Sequence, residues 1–165
     1  MLVVGIDPGT ATTGYGFVRD LPDGSLELVD FGVILTSPDQ AMPDRLLELS
    51  KQLNQKLLLH HPESGAVEKL FFSRNVTTAI AVGQARGVAL LSLAQTGIPI
   101  EEYTPMEVKQ AVAGYGGADK AQVQQMVRAL LGLIDVPRPD DAADALAVAI
   151  CHLHSARMRS LVDHA

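Results

Sequence analysis

The chain has 165 residues, 47% of them hydrophobic and 19% charged, with a formal net charge of −6. That length fits one domain with a sizeable core, and the composition excludes an intrinsically disordered chain. No apolar run reaches the roughly 18 residues of a membrane span, and the single cysteine, Cys151, excludes an intrachain disulfide and fits a reducing cytoplasm.

Residues 2–7 are a continuous apolar run closed by Asp-Pro-Gly, the pattern of a buried strand that ends in a turn. The alternation in Gly14-Tyr-Gly-Phe-Val-Arg19 predicts a second strand. After the turn signal Leu21-Pro-Asp-Gly24, the run from Leu26 to Leu35 predicts a third. Connections this short make an antiparallel meander. Leu46, Leu47, Leu49, Leu53 and Leu57 then recur at helical spacing over 43–59, with Pro43 well placed in the first turn. A strand at Gly65–Glu68, a helix over about 76–94 and a short strand at Ile98–Glu101 follow. Further helices are predicted at 105–113, 119–132 and 140–157, and the loop Gly114-Tyr-Gly-Gly117 is expected to be mobile. The order predicts an α/β fold, with a mixed five-stranded sheet of three antiparallel strands followed by parallel βαβ units, and helices on both faces. Residues 1–157 are expected to form a single domain, with 158–165 as a short C-terminal tail.

The acidic balance argues against nucleic acid, because phosphate affinity comes from Lys and Arg. Its distribution softens the objection. Residues 1–64 hold four basic and nine acidic residues, whereas residues 65–165 hold nine basic and ten acidic ones. Three of those ten are Glu68, Asp141 and Asp144, and neutralising them with cations would leave the later part of the chain net positive.

Four carboxylates stand out. Asp7 and Glu68 end two strand-like runs, and Asp141 and Asp144 open a helix in Asp140-Asp-Ala-Ala-Asp-Ala-Leu-Ala147. In open α/β sheets, sites form at the carboxyl ends of strands, and residues i and i+3 share a helix face. Each pair also has an ordinary reading. Asp at a strand end starts turns, and Asp at a helix start caps it or favours the dipole, the role expected of Asp140 after Pro139. Carboxylates that converge repel unless cations hold them. An all-oxygen set suits Mg2+ or Mn2+, and paired ions of that kind hydrolyse or transfer phosphates.

Gly5-Ile-Asp-Pro-Gly9, Gly14-Tyr-Gly16, Glu68-Lys-Leu-Phe71, Gly83-Gln-Ala-Arg-Gly87, Val108-Lys-Gln110 and Asp141-Ala-Ala-Asp-Ala-Leu-Ala147 occur in this order. Together they resemble a RuvC-type Holliday-junction resolvase of the ribonuclease-H-like superfamily, from residue 2 to about residue 154. The resemblance implies a crossover junction endodeoxyribonuclease in which Asp7, Glu68, Asp141 and Asp144 hold two Mg2+ ions, with Mn2+ as a substitute. It implies paired symmetric nicks in four-way junction DNA, leaving 5′-phosphate and 3′-hydroxyl ends. It also implies a homodimer and a RuvA–RuvB branch-migration partner. The doubled acid leaves Asp140 as an alternative to Asp141 for one ligand position.

The resemblance further places Lys109 and Lys120 near the scissile phosphate, where lysine acts as a point charge; most lysines are solvated helix residues. It turns Phe71 toward DNA, stacked on an unpaired base, with Phe72 packed inside. Arg74 and Asn75 are expected to contact the DNA backbone. The turn Pro8-Gly-Thr10 would admit a phosphate closely, or is simply a tight turn. The spacings Ala79, Gly83, Gly87 and Ala81, Ala85, Ala89 allow close helix approach, either on the protein's own sheet or across a dimer interface, and Gln84 and Arg86 argue against a membrane. His60-His61 is expected in an exposed turn, His152 and His154 lack metal-ligand spacing with Cys151, and Cys151 is expected to be a small core residue. Competing readings are a ribonuclease H or YqgF-like RNA-processing nuclease, an actin- or sugar-kinase-type ATPase domain, and an inactive junction-binding scaffold. The ATPases need two related domains, and the scaffold should lack one of the four acids.

Overall fold

The computed structural model describes residues 1–69 and 75–163. The elements run β1 (Leu2–Asp7), β2 (Thr12–Asp20), β3 (Leu26–Leu35), α1 (Met42–His60), β4 (Ser64–Glu68), α2 (Val76–Gln95), β5 (Ile100–Tyr103), α3 (Pro105–Ala113), α4 (Lys120–Leu130) and α5 (Asp140–Asp163). They form a five-stranded sheet in the order β3-β2-β1-β4-β5. The first three strands are antiparallel neighbours, and β4 and β5 join β1 in parallel, as the chain order predicts.

Period-two alternation sends successive side chains to opposite faces. Leu2, Val4 and Ile6 pack with Leu49, Leu53 and Leu57 of α1 and Ala85, Ala89 and Leu93 of α2. Val3 and Ala66 face the other way, into a core with Val108, Val112, Val123, Val127 and the apolar stretch Leu146–Ile150 of α5. Burying the Val, Leu and Ile side chains among them contributes about 1.5–3 kcal/mol each.

Local chemistry sets the helix ends. α3 starts with a capping box in which Thr104 Oγ1 accepts from Glu107 N at 3.2 Å and Glu107 Oε2 accepts from Thr104 N at 2.7 Å. Asp119 and Gln122 do the same for α4. α1 carries Pro43 in its first turn and stops at His61, whose φ of 48° puts it in the left-handed region.

Four expectations need correcting. The last strand begins at Ile100 rather than Ile98, because Pro99 cannot donate to a ladder and offers only its carbonyl, to Gly65 N at 2.9 Å. Asp140 is not the N-cap of α5: the Pro139 carbonyl accepts from Ala142 N at 3.0 Å and Ala143 N at 3.3 Å, so Asp140 is the first helical residue. The helix predicted over 140–157 continues to Asp163, with Arg157 anchored to Asp20 on β2. The loop at Gly114–Gly117 is also tied down, by Gln110 Nε2 on the Gly114 carbonyl at 2.8 Å and by Tyr115 OH on Gln122 Oε1 at 2.6 Å.

The small residues of α2 do not divide stripe by stripe: Ala79 is buried and Ala81 half-buried. Ala85 and Ala89 are buried in the core, whereas Gly87 is exposed and a Cβ there would meet nothing within 4 Å. Val76, Ile80 and Leu91 are exposed on that same outer side. By length and composition alone α2 could cross a bilayer, but its inner face is built into this domain and Arg86 is paired with Glu102.

Candidate active site

Asp7 and Glu68 end β1 and β4, whose parallel register pairs Ile6 with Val67. The carboxyl-bearing residues are therefore neighbours on adjacent strands. On β4, Ala66 faces α5 and Val67 faces α2, so alternation turns Glu68 to the α5 side; on β1, Val3 faces α5 and turns Asp7 there as well.

The first turn of α5 brings Asp141 and Asp144 to the same place, and glycine lets it come close. Gly14 is the register partner of Asp7 on β2, and a Cβ on Gly14 would lie 1.9 Å from the Asp141 carbonyl oxygen. At Gly5 a Cβ would lie 2.2 Å from the Ala145 carbonyl oxygen. α5 thus rests backbone against backbone on β1 and β2, an approach no other residue type permits.

The gathered acids disturb one another. Desolvation pushes the Asp7 carboxyl up to about 8, reinforced by the charges of Glu68, Asp144 and Asp141 and opposed by Lys120. Burial and the Asp144 charge also raise Glu68, against a hydrogen bond donated by Asp7 and the charges of Lys109 and Lys120. Burial raises Asp144 despite its hydrogen bond from Lys120 Nζ at 3.0 Å, with Asp141 and Asp140 adding repulsion. Lys120 loses some water, but Asp144 and Asp140 outweigh that and hold it above its ordinary range. Asp140 is different. Against some desolvation, a hydrogen bond from Gln124 and the charges of Lys120 and Arg138 keep its carboxyl low. It pairs with Arg138 and lies 3.6 Å from Lys120, whereas Asp141 is the acid whose charge acts on Asp7.

A cleft of about 250 Å3 opens here, lined by Glu68, Pro105, Val108, Lys109, Lys120, Val123, Asp144 and Ala147. Both lysines singled out in the sequence are on its wall. A larger groove of about 600 Å3, lined by Tyr115, Gln122 and Met126 among others, contains none of the four acids. Among the described residues, no group of three or more Asp, Glu, His or Cys side chains is placed as it stands to hold a metal ion. Glu68 and Asp144 line the cleft, Asp7 acts on Glu68 directly, and Lys120 offsets part of the negative charge through Asp144 at 3.0 Å. A set of hard oxygen donors with a deficit of positive charge fits Mg2+ or Mn2+.

The turn after Asp7 is tight and tethered. Thr13 Oγ1 donates to the Gly9 carbonyl at 2.6 Å, and Thr10 Oγ1 donates to the Ala81 carbonyl of α2 at 2.7 Å. Asn75 caps α2 by accepting from Thr78 N at 3.3 Å. Phe71, Phe72 and Arg74 lie outside the described residues. Cys151 is buried, and burial pushes its thiol up to about 11, as fits a core residue. His60 ends α1 and meets Asp30 Oδ2 at 2.8 Å, so it is not a free turn residue. His152 is also built in, hydrogen-bonded at both ring nitrogens to Ser64 and Tyr103, partners 88 and 49 residues away. No local spacing could have disclosed that contact.

Residues 3–152 match the family model described as crossover junction endodeoxyribonuclease RuvC. Proteins of that name from Chloroflexus aurantiacus and Chloroflexus aggregans are 58% and 60% identical over 156 and 157 residues, in each case 94% of this chain and 94% of the relative. The fold superposes on Thermus thermophilus RuvC, solved in complex with a Holliday junction substrate, with a TM-score of 0.91 and 41% identity over 96% of each chain. The yeast mitochondrial Holliday junction resolvase Ydc2, 15% identical, shares the fold with a TM-score of 0.68 over 92% of this chain and 78% of that one. The architecture is ribonuclease-H-like. This chain belongs to the RuvC family of crossover junction endodeoxyribonucleases.

Proposed function

We propose that the chain is a structure-specific endonuclease that resolves Holliday junctions by paired, symmetric, metal-dependent nicks in DNA recombination and repair. The observation that carries this reading is the desolvated acid cluster at the ends of β1 and β4 and the start of α5, facing a cleft with Lys109 and Lys120 on its wall. Asp7, Glu68, Asp141 and Asp144 would hold two divalent ions, Mg2+ or Mn2+. When bound, such ions make hydroxide available from water near neutral pH and stabilise the leaving oxygen.

The protein's own residues do the rest. Four ionised carboxylates would carry four negative charges, which two divalent cations would balance; the Asp7 carboxyl is pushed up to about 8, and Lys120 Nζ lies 3.0 Å from Asp144. Lys109 and Lys120 supply positive charge where a phosphate would enter and where negative charge would grow in the transition state. Asp141 is the ligand and Asp140 the partner of Arg138 and Lys120. Phe71, Arg74 and Asn75 remain candidate DNA contacts, Asn75 alongside its capping role.

A four-way junction has near two-fold symmetry, so two opposed nicks require two sites related by a two-fold axis. The functional unit is therefore a homodimer, and the outer face of α2, with Val76, Ile80 and Leu91 around the open Gly87, is the surface that supports it. A RuvA–RuvB branch-migration complex is the expected partner, in a bacterial cytoplasm. Asp141→Asn should abolish cleavage of a four-way junction while leaving junction binding intact. Retained cleavage would move the role to Asp140, and loss of binding as well would mean that the acid is structural.

A further inference from the structure

Beneath the acid cluster lies a second polar group that the nuclease reading does not use. Ser64, Tyr103 and His152 are 6%, 7% and 3% exposed, within an otherwise apolar layer. Ser64 Oγ is 2.7 Å from His152 Nε2, and Tyr103 OH is 3.0 Å from His152 Nδ1.

Its place in the fold is what matters. Ser64 begins β4, the strand that Glu68 ends, and is the register partner of Val3 on β1. Tyr103 ends β5 and is the register partner of Glu68, and its carbonyl accepts from Lys69 N at 2.8 Å. His152 lies on α5 three helical turns beyond Asp141 and on the same face, about 16 Å along the axis. The three side chains therefore bolt together the elements that carry Glu68, Asp141 and Asp144.

The charge state of the ring follows from its surroundings. Burial and the Arg159 charge hold His152 below its ordinary range, against Glu101, so the ring is neutral near pH 7 and has one N–H. With one N–H, the ring donates through one nitrogen and accepts through the other, so Ser64 and Tyr103 supply one acceptor and one donor between them. Both ring nitrogens are satisfied, and the chain of contacts runs from β5 through α5 to β4.

We propose that Ser64, Tyr103 and His152 are positioning residues that fix β4 and β5 against α5, and so set the spacing of Glu68 from Asp141 and Asp144 and the affinity of the site for divalent cations. The inference rests on the reading of those acids as cation ligands. α5 is continuous over three turns, and the fold must hold the acids together against their own repulsion. A small slip of the helix on β4 thus appears directly as altered ligand spacing.

The test is calorimetric titration of the full chain with Mn2+, without DNA, for the unmodified protein, Ser64→Ala, Tyr103→Phe, His152→Gln and His152→Leu, each checked by circular dichroism and thermal unfolding. Tyr103→Phe keeps the ring and its packing and is the decisive variant. It and Ser64→Ala should remain folded and bind Mn2+ several-fold more weakly, less than the roughly 10–100-fold lost when a group hydrogen-bonded to a metal ligand is removed. His152→Gln, which keeps a donor near Ser64, should recover part of the affinity that His152→Leu loses. The Mn2+ concentration for half-maximal junction cleavage should rise by the same factor, with kcat at saturating Mn2+ close to that of the unmodified chain. Folded variants with a lowered Tm but unchanged Mn2+ affinity would overturn the proposal and leave a purely structural network. Absence of Mn2+ binding by the unmodified chain would overturn the cation reading itself, and this inference with it.

Discussion

Asp7→Asn should make the cation-free protein more stable while destroying its activity. The Asp7 carboxyl is raised from 3.8 to about 8, first by desolvation and then by Glu68, Asp144 and Asp141. Between those two values the folded chain keeps a proton that the unfolded chain has released, so stability falls as pH rises from about 4 to about 8. At pH 7.5 the full conversion amounts to about 5 kcal/mol. Water entering as the acid ionises relieves part of it, and asparagine adds its own cost of desolvation. A net gain of about 2 kcal/mol remains, or about 4–8 °C in Tm for a chain of this size. The assay is thermal unfolding in EDTA from pH 5 to 8.5 at one protein concentration. The unmodified chain should lose Tm as pH rises, and Asp7→Asn should lose much less. Mn2+ should raise the Tm of the unmodified chain and do little for the variant. A flat Tm over that range for the unmodified chain, with no gain in Asp7→Asn, would refute the reasoning that the acids are held together against their repulsion.

Other outcomes follow from the same geometry. Gly14→Ala sets a Cβ against the Asp141 carbonyl, 1.9 Å away in the present arrangement, and should cost about 3 kcal/mol or more together with cleavage activity; denaturant unfolding measures it. Gly87→Glu meets only open space in the monomer and improves helix propensity by up to about 1 kcal/mol. It should therefore leave the fold intact while giving monomers in light scattering and unpaired nicks on a junction. An unchanged dimer would take the interface off this face of α2. Cys151, with its thiol pushed up to about 11, should stay unreactive to a thiol reagent at pH 8 in the native protein and react at once after unfolding. Fast native labelling would contradict its place in the core.

Much of the architecture was legible because its signals are local. The apolar run to Asp7, the short run to Glu68 and the acidic opening of α5 are each contained within a few residues. The order of strands and helices sufficed to predict which strands run parallel. Errors came where a neighbour decides. Pro99 shifts β5 toward Tyr103 by withholding a ladder donor. Pro139 supplies the first helical acceptor, so Asp140 turns to Arg138 and Lys120 instead of capping. The small residues of α2 look alike in sequence, yet the sheet takes Ala85 and Ala89 and leaves Gly87 outside. The ambiguity between Asp140 and Asp141 could be addressed only once α5 lay on Gly14, because helix spacing alone admits both. Ser64, Tyr103 and His152 gave no signal, since their contact depends on three elements meeting.

The most direct test is cleavage of a labelled synthetic four-way junction, against linear duplex and an RNA–DNA hybrid, each with Mg2+, Mn2+ or EDTA. The account predicts paired symmetric nicks in the junction alone, with 5′-phosphate and 3′-hydroxyl ends, abolished by EDTA. Cleavage of the hybrid, or no cleavage with either cation, would contradict it.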